Sequence, residues 1–381
     1  MKVDFFSFSY SDPDLRSEWK ALLSSVIDEG TFIGGIHLKD FEESWARFTG
    51  SKFAVGVSNG LDGLTLGLRA LGIGAGDYVA VPAHTFIATW SSIIAVGANP
   101  IGIDVDDAGL MNLDHLRIVA KSIKAVIPVH MHGSVVEMSK LYKICNDSAL
   151  SSPIRIIEDA SQAHGARSPD GNRLGKFSDL VVYSLYPTKN LGALGDAGVI
   201  TTDLVEIENR IRSLSNYGSH KNNKYLHELM GYNNRLDSIQ ASILRKNLEY
   251  LESWNLKRKQ LSSIYIRELS GAFTILQESR SESVRHHFCI LTPERDRLRE
   301  FLATKGISTE IHYPYVAGTE AMQFIGQNVK FPNAERLAKT TLSLPISQWH
   351  NESQIDYVIA TLKQWRSHYG TFGKHNNTLR D

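Results

Sequence analysis

From residue 53 onward, short apolar runs rich in β-branched residues alternate with amphipathic stretches, and this alternation confines the chain to one broad fold class. FAVGV is followed by LDGLTLGLRALGI and YVAVP by FIATWSSIIAVGA; PIGID, KAVIPVH and IRIIED come next, with EMSKLYKICND between the last two. Apolar runs of this length read as strands buried on both faces, and the amphipathic segments read as helices laid across them. The expectation is an α/β fold whose mostly parallel sheet is covered by helices. Leu180 to Tyr183 and Ala197 to Thr201 follow each other with little room for a helix between them. That part of the sheet is expected to hold an antiparallel pair, so the sheet is mixed.

After Asn234, RLDSIQASILRKNLEYLESWNLKRKQLSSIYIREL keeps helical periodicity without a proline or glycine. It reads as one long connecting helix or as two end to end. Beyond it FTILQ, RHHFCILT and ISTEIHYP read as strands, and ERDRLREFLATKG and ESQIDYVIATLKQWRSHY as helices. The expected organisation is a large domain over 1–250 and a smaller α+β domain over 251–381, against which the N-terminal segment can also pack. The polar, glycine-flanked tail GTFGKHNNTLRD is expected to fray.

Composition narrows the partners. Lys+Arg and Asp+Glu are equal at 41 each, so no global field favours nucleic acid or an anionic membrane, and any anion site must be built locally. Cys145 and Cys289 fall in no metal-binding spacing and read as buried free thiols. MKVDFFSFSYSDPDL has no apolar stretch of signal length, and no uninterrupted apolar run reaches about 18 residues. A cytoplasmic protein without disulfides is expected.

Chemistry concentrates in SLYPTKNLGALGDAG, residues 184 to 198. Most lysines are solvated surface charges. Lys189 instead follows a strand and a Tyr-Pro turn and precedes Gly192, Gly195 and Gly198, at a strand end where α/β proteins place ligands. A lysine partly desolvated there has a depressed pKa and can form a Schiff base with an aldehyde. If the aldehyde is pyridoxal phosphate, three further parts are needed: an acid for the pyridine nitrogen, a phosphate cradle and a flat face against the ring. IRIIEDASQAHG brings Glu158 and Asp159 to a strand end, where Asp159 could hold the pyridinium proton or, equally, cap a helix. Gln162 could reach the phenolic oxygen or be an ordinary exposed amide. AVGVSNGLDGLTLGL sets a Ser-Asn-Gly turn before a helix, so the amides of Gly60 and Leu61, with the Ser184 hydroxyl, could hold a phosphate. Phe86 in AHTFIAT is either the stacking face or a core aromatic.

Taken together, EDASQAHGA, SLYPTKNLGALGDAG, GYNNRLDSIQASIL and NGLDGLTLGLRALGIGAGDYVAVPAHTFIAT resemble the sugar-nucleotide aminotransferases of the DegT/DnrJ/EryC1/StrS type, which are fold type I pyridoxal phosphate enzymes. The similarity runs from about residue 5 to about residue 365, with the four motifs in order. The resemblance implies that Lys189 is the Schiff-base lysine, Asp159 the pyridinium partner and Gln162 the residue at the phenolic oxygen. It also implies that Ser184, Gly60 and Leu61 hold the phosphate and that Phe86 stacks on the ring. Asn233 in GYNNR matches an asparagine that reaches the neighbouring subunit's cofactor phosphate, which implies a homodimer with shared active sites. One branch of the family has histidine at the lysine position and dehydrates the sugar; lysine here implies transamination from L-glutamate.

The loop NYGSHKNNKYLHELMGYNNRLD and the triplet His312-Tyr313-Pro314 look most like the branch that aminates C-3 of dTDP-linked 3-keto-6-deoxyhexoses. By that resemblance Tyr186, His312 and Tyr313 face the sugar, while Tyr217, Lys221, Tyr225 and Arg235 lie toward the nucleotide, where a diphosphate needs positive charge. PVHMHGSVVEM and YPYVAGTEAM depart from the usual pattern beside the sugar pocket. Two other readings stand beside this one: C-4 amination of a GDP- or UDP-linked sugar, and a non-catalytic sugar-nucleotide-binding or regulatory protein on the same fold.

Overall fold

The computed structural model describes residues 1–148, 153–168, 170–220, 223–280, 282–317 and 329–369. The expected frayed tail, the second half of YPYVAGTEAM and Lys221 lie outside the described residues. Two helices that the sequence reading did not identify come first, α1 (Pro13–Glu29) and α2 (Gly35–Thr49). The Asp12 side chain caps α1 by accepting the Asp14 N–H at 2.9 Å, and the helix ends on Gly30 in the left-handed region.

The alternating region follows the predicted order: β1 (Phe53–Val57), α3 (Gly60–Ala70), β2 (Tyr78–Pro82), α4 (Ile87–Ala95), β3 (Asn99–Ile103), α5 (Leu113–Val119), β4 (Ala125–Val126), α6 (Met138–Ser148), β5 (Arg155–Asp159), β6 (Leu180–Ser184) and β7 (Gly198–Thr202). These strands form one sheet in the order β1-β7-β6-β5-β4-β2-β3. β6 and β7 pair antiparallel, with Val182 opposite Ile200, as their close spacing led us to expect. β7 also pairs antiparallel with β1, while β6, β5, β4, β2 and β3 run parallel.

The chain continues through α7 (Val205–Ser215) and a short hairpin of β8 (Ser219–His220) and β9 (Asn223–His227). The long helical run is two helices, α8 (Ser238–Leu248) and α9 (Leu251–Leu269). One face of the sheet packs on Phe41 and Trp45 of α2, Leu141 of α6 and Leu244 of α8; the other packs on Leu64 and Leu68 of α3, Trp90 of α4 and Ile211 of α7. Both faces are therefore dry, which is why the strands read as continuous apolar runs.

β10 (Thr274–Ile275), β11 (Phe288–Leu291), α10 (Arg295–Thr304), α11 (Pro332–Thr340), β12 (Thr341–Leu344) and α12 (Glu352–Tyr369) complete the described chain. β10, β11 and β12 make an antiparallel sheet with its own core, which includes Leu261 of α9, Leu302 of α10 and Leu362 of α12. Val3 joins that core and pairs with Ile307, whereas α1 and α2 pack on α8.

Two strand expectations are corrected. ISTEIHYP forms no ladder: Ile307 bridges Val3 and Glu310 bridges Ser343, so its few backbone bonds are divided between two partners. RHHFCILT becomes a strand only from Phe288, because Arg285 takes a positive φ of 50°, outside the extended region, and the His286 N–H is given to the His132 carbonyl at 3.0 Å and not to a neighbouring strand.

Candidate active site

The parallel strands β5 and β6 end side by side, so Asp159 and Ser184 reach the same edge of the sheet. Lys189 follows in a turn closed by its own N–H on the Tyr186 carbonyl at 2.9 Å. The neighbouring glycines are needed for close backbone approach within the chain: a Cβ at Gly192 would stand 2.4 Å from the Pro187 oxygen, and one at Gly198 would stand 2.6 Å from the Asn59 oxygen. Burial lowers the Lys189 pKa from its usual 10.5 to about 8, while the Asp159 carboxylate works in the opposite direction. A neutral amine is the nucleophilic form, so this environment prepares the side chain for carbonyl chemistry.

Asp159 is buried and does not cap a helix. Its Oδ1 accepts the Ser161 N–H at 3.1 Å and its Oδ2 accepts the Thr89 hydroxyl at 3.0 Å. Gln162 is buried too: its Oε1 accepts the His132 N–H at 2.7 Å and its Nε2 donates to the Tyr313 hydroxyl at 3.0 Å. The Tyr313 ring lies 5.5 Å from the ring of Phe86, which is 54% exposed at the start of α4 and is therefore no core aromatic. Asp159, Gln162, Phe86 and Tyr313 thus converge on one place, and Thr89 joins them without any signal in the sequence reading.

Behind Lys189 stands a wall of histidines. His312 stacks on His287 at 3.7 Å, gives its Nδ1 to a contact with Ser343 Oγ at 2.8 Å, and lies 5.7 Å from the ring of Phe5. His286, His287 and His132 are buried, and desolvation first and nearby charges second (Lys189 and Arg258 on His286, His312 on the other two) hold all three well below the ordinary histidine pKa. His312 and His164 are lowered to about 3, by burial first and by the Lys189 charge second. The wall is neutral at physiological pH and adds no competing cation beside the lysine. Among the described residues no group of three or more His, Cys, Asp or Glu is arranged to hold a metal ion.

The other end of the site fits a phosphate. Gly60 and Leu61 open α3, where N–H groups have no acceptor within the helix. A Cβ on Gly60 would come within 2.8 Å of Ser184 Cβ and 3.4 Å of Ser161 Oγ, so the helix start, Ser184 and Ser161 crowd together. Backbone N–H groups, two hydroxyls and a helix N-terminus are a donor set suited to a phosphate. With the desolvated amine of Lys189 and the buried carboxylate of Asp159, the residues present fit pyridoxal phosphate. Ser161 is a further residue the sequence reading missed.

Toward the outside, Tyr217 takes φ 61° and carries the Arg235 guanidinium 5.4 Å from its ring centre. Arg235 also donates to Asn216 Oδ1 at 2.7 Å. Tyr186 is exposed beside the lysine turn, Tyr225 is 81% exposed on β9, and Asn233 is exposed at the end of the loop after the hairpin. Tyr217 and Arg235 are therefore brought together.

A buried strand-end lysine, a carboxylate facing the same space and a helix-start phosphate cradle on a mixed α/β sheet define a pyridoxal-phosphate-dependent enzyme of fold type I. Residues 13–363 match the DegT/DnrJ/EryC1/StrS aminotransferase family, and the chain belongs to it. It is a sugar-nucleotide aminotransferase. The chain is similar to dTDP-3-amino-3,4,6-trideoxy-alpha-D-glucose transaminase of Streptomyces venezuelae, at 38% identity over 96% of each chain. It is also similar to dTDP-3-amino-3,6-dideoxy-alpha-D-galactopyranose transaminase of Aneurinibacillus thermoaerophilus, at 36% identity over 95% of this chain and 99% of that one. The structure of NtdA from Bacillus subtilis with bound cofactor PMP superposes with a TM-score of 0.88 at 28% identity, covering 95% of this chain and 85% of that one. No described helix is long and apolar enough to cross a membrane.

Proposed function

We propose that this aminotransferase moves the amino group of L-glutamate to the C-3 keto group of a dTDP-linked 3-keto-6-deoxyhexose, giving the 3-amino-3,6-dideoxy sugar and 2-oxoglutarate. The observation that carries the reading is the desolvated amine of Lys189, set against Asp159 and a neutral histidine wall. Two relatives similar over nearly the whole chain are named for dTDP-3-amino sugars, and this favours C-3 over C-4.

Bound pyridoxal phosphate would supply an electrophilic carbon and an electron sink. Lys189 would hold that carbon and, once displaced by the donor amine, carry a proton to and from the amino-acid carbon. Asp159, fixed by Ser161 and Thr89, would keep the ring nitrogen protonated. Gln162 would orient the phenolic edge, Phe86 would cover the ring, and Gly60, Leu61 and Ser184 would bind the phosphate. Tyr186, His312 and Tyr313 would meet the sugar; Tyr217, Arg235, Tyr225 and Lys221 would meet the nucleotide.

The working unit of this proposal is a homodimer in which Asn233 reaches the other subunit's phosphate. Exposed Ile27, Phe32, Ile33 and Ile36, together with Leu226 on β9 and Met230 just beyond it, supply apolar surface for such an interface. A nucleotide-activated substrate sets the reaction in the cytoplasm. The test is incubation with L-glutamate and a panel of nucleotide-linked 3-keto and 4-keto sugars, with the new amine located by NMR. Amination at C-4 alone would overturn the regiochemistry; absence of product with every member would overturn the substrate class.

A further inference from the structure

Asn190, the residue after Lys189, is fully buried and hydrogen-bonded on all sides. Its Nδ2 donates to Asn255 Oδ1 at 2.8 Å and to the Val284 carbonyl at 3.0 Å, and its Oδ1 lies 2.9 Å from His286 Nδ1. Asn255, from α9, donates its own Nδ2 to the His164 carbonyl at 2.9 Å, and His164 Nε2 lies 2.8 Å from the Ser184 carbonyl. The acceptors decide the proton positions. Two carbonyl oxygens orient the two amides, so Asn190 Oδ1 can only accept, and His286 must carry its proton on Nδ1. Likewise His164 carries its proton on Nε2. The donors then point one way along the chain, from His286 through Asn190 and Asn255 to the His164 peptide, and from the His164 ring to Ser184. Aligned bonds of this kind reinforce one another in a dry interior.

We infer that His286, Asn190 and Asn255 are positioning residues that fix the backbone of Lys189 relative to Ser184. The inference rests on Lys189 being the cofactor lysine and Ser184 lying at the phosphate. The lysine's backbone is held on both sides, by its turn bond to Tyr186 before it and by the Asn190 amide after it. One rigid connection thereby spans the two ends at which a single cofactor would be gripped. His286 is also tied by its own N–H to the His132 carbonyl at 3.0 Å, and the His132 N–H serves Gln162, so the ring-edge residue hangs on the same frame. The histidine's neutrality follows from burial and from the charges of Lys189 and Arg258, and it suits a donor that must keep one tautomer.

The test compares His286→Leu with His286→Asn, because the asparagine amide can occupy the place of Nδ1–H and leucine cannot. The cofactor-free protein is mixed with pyridoxal phosphate, and the rise of the lysine-dependent absorbance band is followed in stopped flow. His286→Leu should slow band formation and lower kcat about tenfold or more while KM for glutamate stays within about twofold, since small misplacement of a reacting group is costly. His286→Asn should recover most of both. Wild-type band formation in His286→Leu would overturn the inference, as would equal loss in the two variants, which would assign the effect to ring bulk. If His286→Leu does not fold, Asn255→Ala decides: Asn255 borders a cavity of about 300 Å³, so water can enter to serve the freed groups. An unchanged rate there refutes the frame. A wild-type protein that forms no band refutes the cofactor reading itself.

Discussion

Replacing Asp159 with asparagine should push two properties of Lys189 chemistry in opposite directions. Asparagine fits the same space: its oxygen can keep the Ser161 N–H, and its amide can donate to Thr89, whose hydroxyl can then turn to Thr85, 3.1 Å away. Folding stability should change by about 1 kcal/mol or less. The charge is lost, however. In the native protein Asp159 favours the ammonium form of Lys189 against the burial that lowers its pKa to about 8. At pH 7 a group of that pKa is about one-tenth neutral, against about 0.03% for an ordinary lysine. Without the carboxylate the pKa falls further, so cofactor-free Asp159→Asn should react faster with pyridoxal phosphate than wild type between pH 6 and 7. Once loaded, the variant should be slow, because nothing anionic remains to hold the ring-nitrogen proton. A loss of about 10²- to 10⁴-fold in the half-reaction with glutamate corresponds to about 2.7 to 5.4 kcal/mol. Both rates are read by stopped-flow absorbance on one preparation. Turnover within threefold of wild type, or a Lys189 that titrates higher in the variant, would refute the assignment of Asp159.

Lys189→Ala should fold and bind the cofactor but lose both the lysine-dependent band and turnover; near-normal turnover would remove the lysine from the mechanism. Gly60→Ala would force a Cβ to within 2.8 Å of Ser184 Cβ, so the helix start must move away from the cradle. Cofactor affinity should fall about tenfold, roughly 1.4 kcal/mol, with little change in thermal unfolding, as measured by fluorescence titration and melting. The cofactor-free protein should lose stability on acidification, because His164 is neutral in the fold with its pKa near 3, whereas the unfolded chain takes up a proton near 6.5. That contribution is fully present above about pH 6.5 and is lost as pH falls toward 3, at up to about 1.4 kcal/mol per unit for each such group. Urea unfolding at pH 7, 6 and 5 should show the slope, and His164→Asn should reduce it; stability flat across this range would count against a neutral histidine wall.

Much of this site is local in sequence. The continuous apolar runs and the helical patterns between residues 53 and 202 place the strands, and strand ends mark Asp159, Ser184 and Lys189, because a buried parallel strand must deliver its next residues to one edge of the sheet. Turn chemistry and close backbone approach explain the glycines around the lysine. By contrast, RHHFCILT reads as a strand, yet His286 and His287 are drawn out of it into the wall behind Lys189, and Arg285 turns to the carbonyls of Gln277 and Arg280. α1 and α2 were not identified from the sequence, and the faces they bury are completed by α8, about 200 residues away.

The sequence by itself determined the fold class and the family, and it singled out Lys189 and Asp159 as the candidate lysine and acid. These depend on short-range periodicity and on motifs whose residues lie within a few positions of one another. Only the tertiary structure decided what surrounds the lysine: Thr89 on Asp159, Tyr313 on Gln162, the Asn190–Asn255–His286 frame and Phe5 beside His312. Those partners are separated by tens to hundreds of residues, and a polar side chain in a dry core takes whichever donor or acceptor the packing brings within reach.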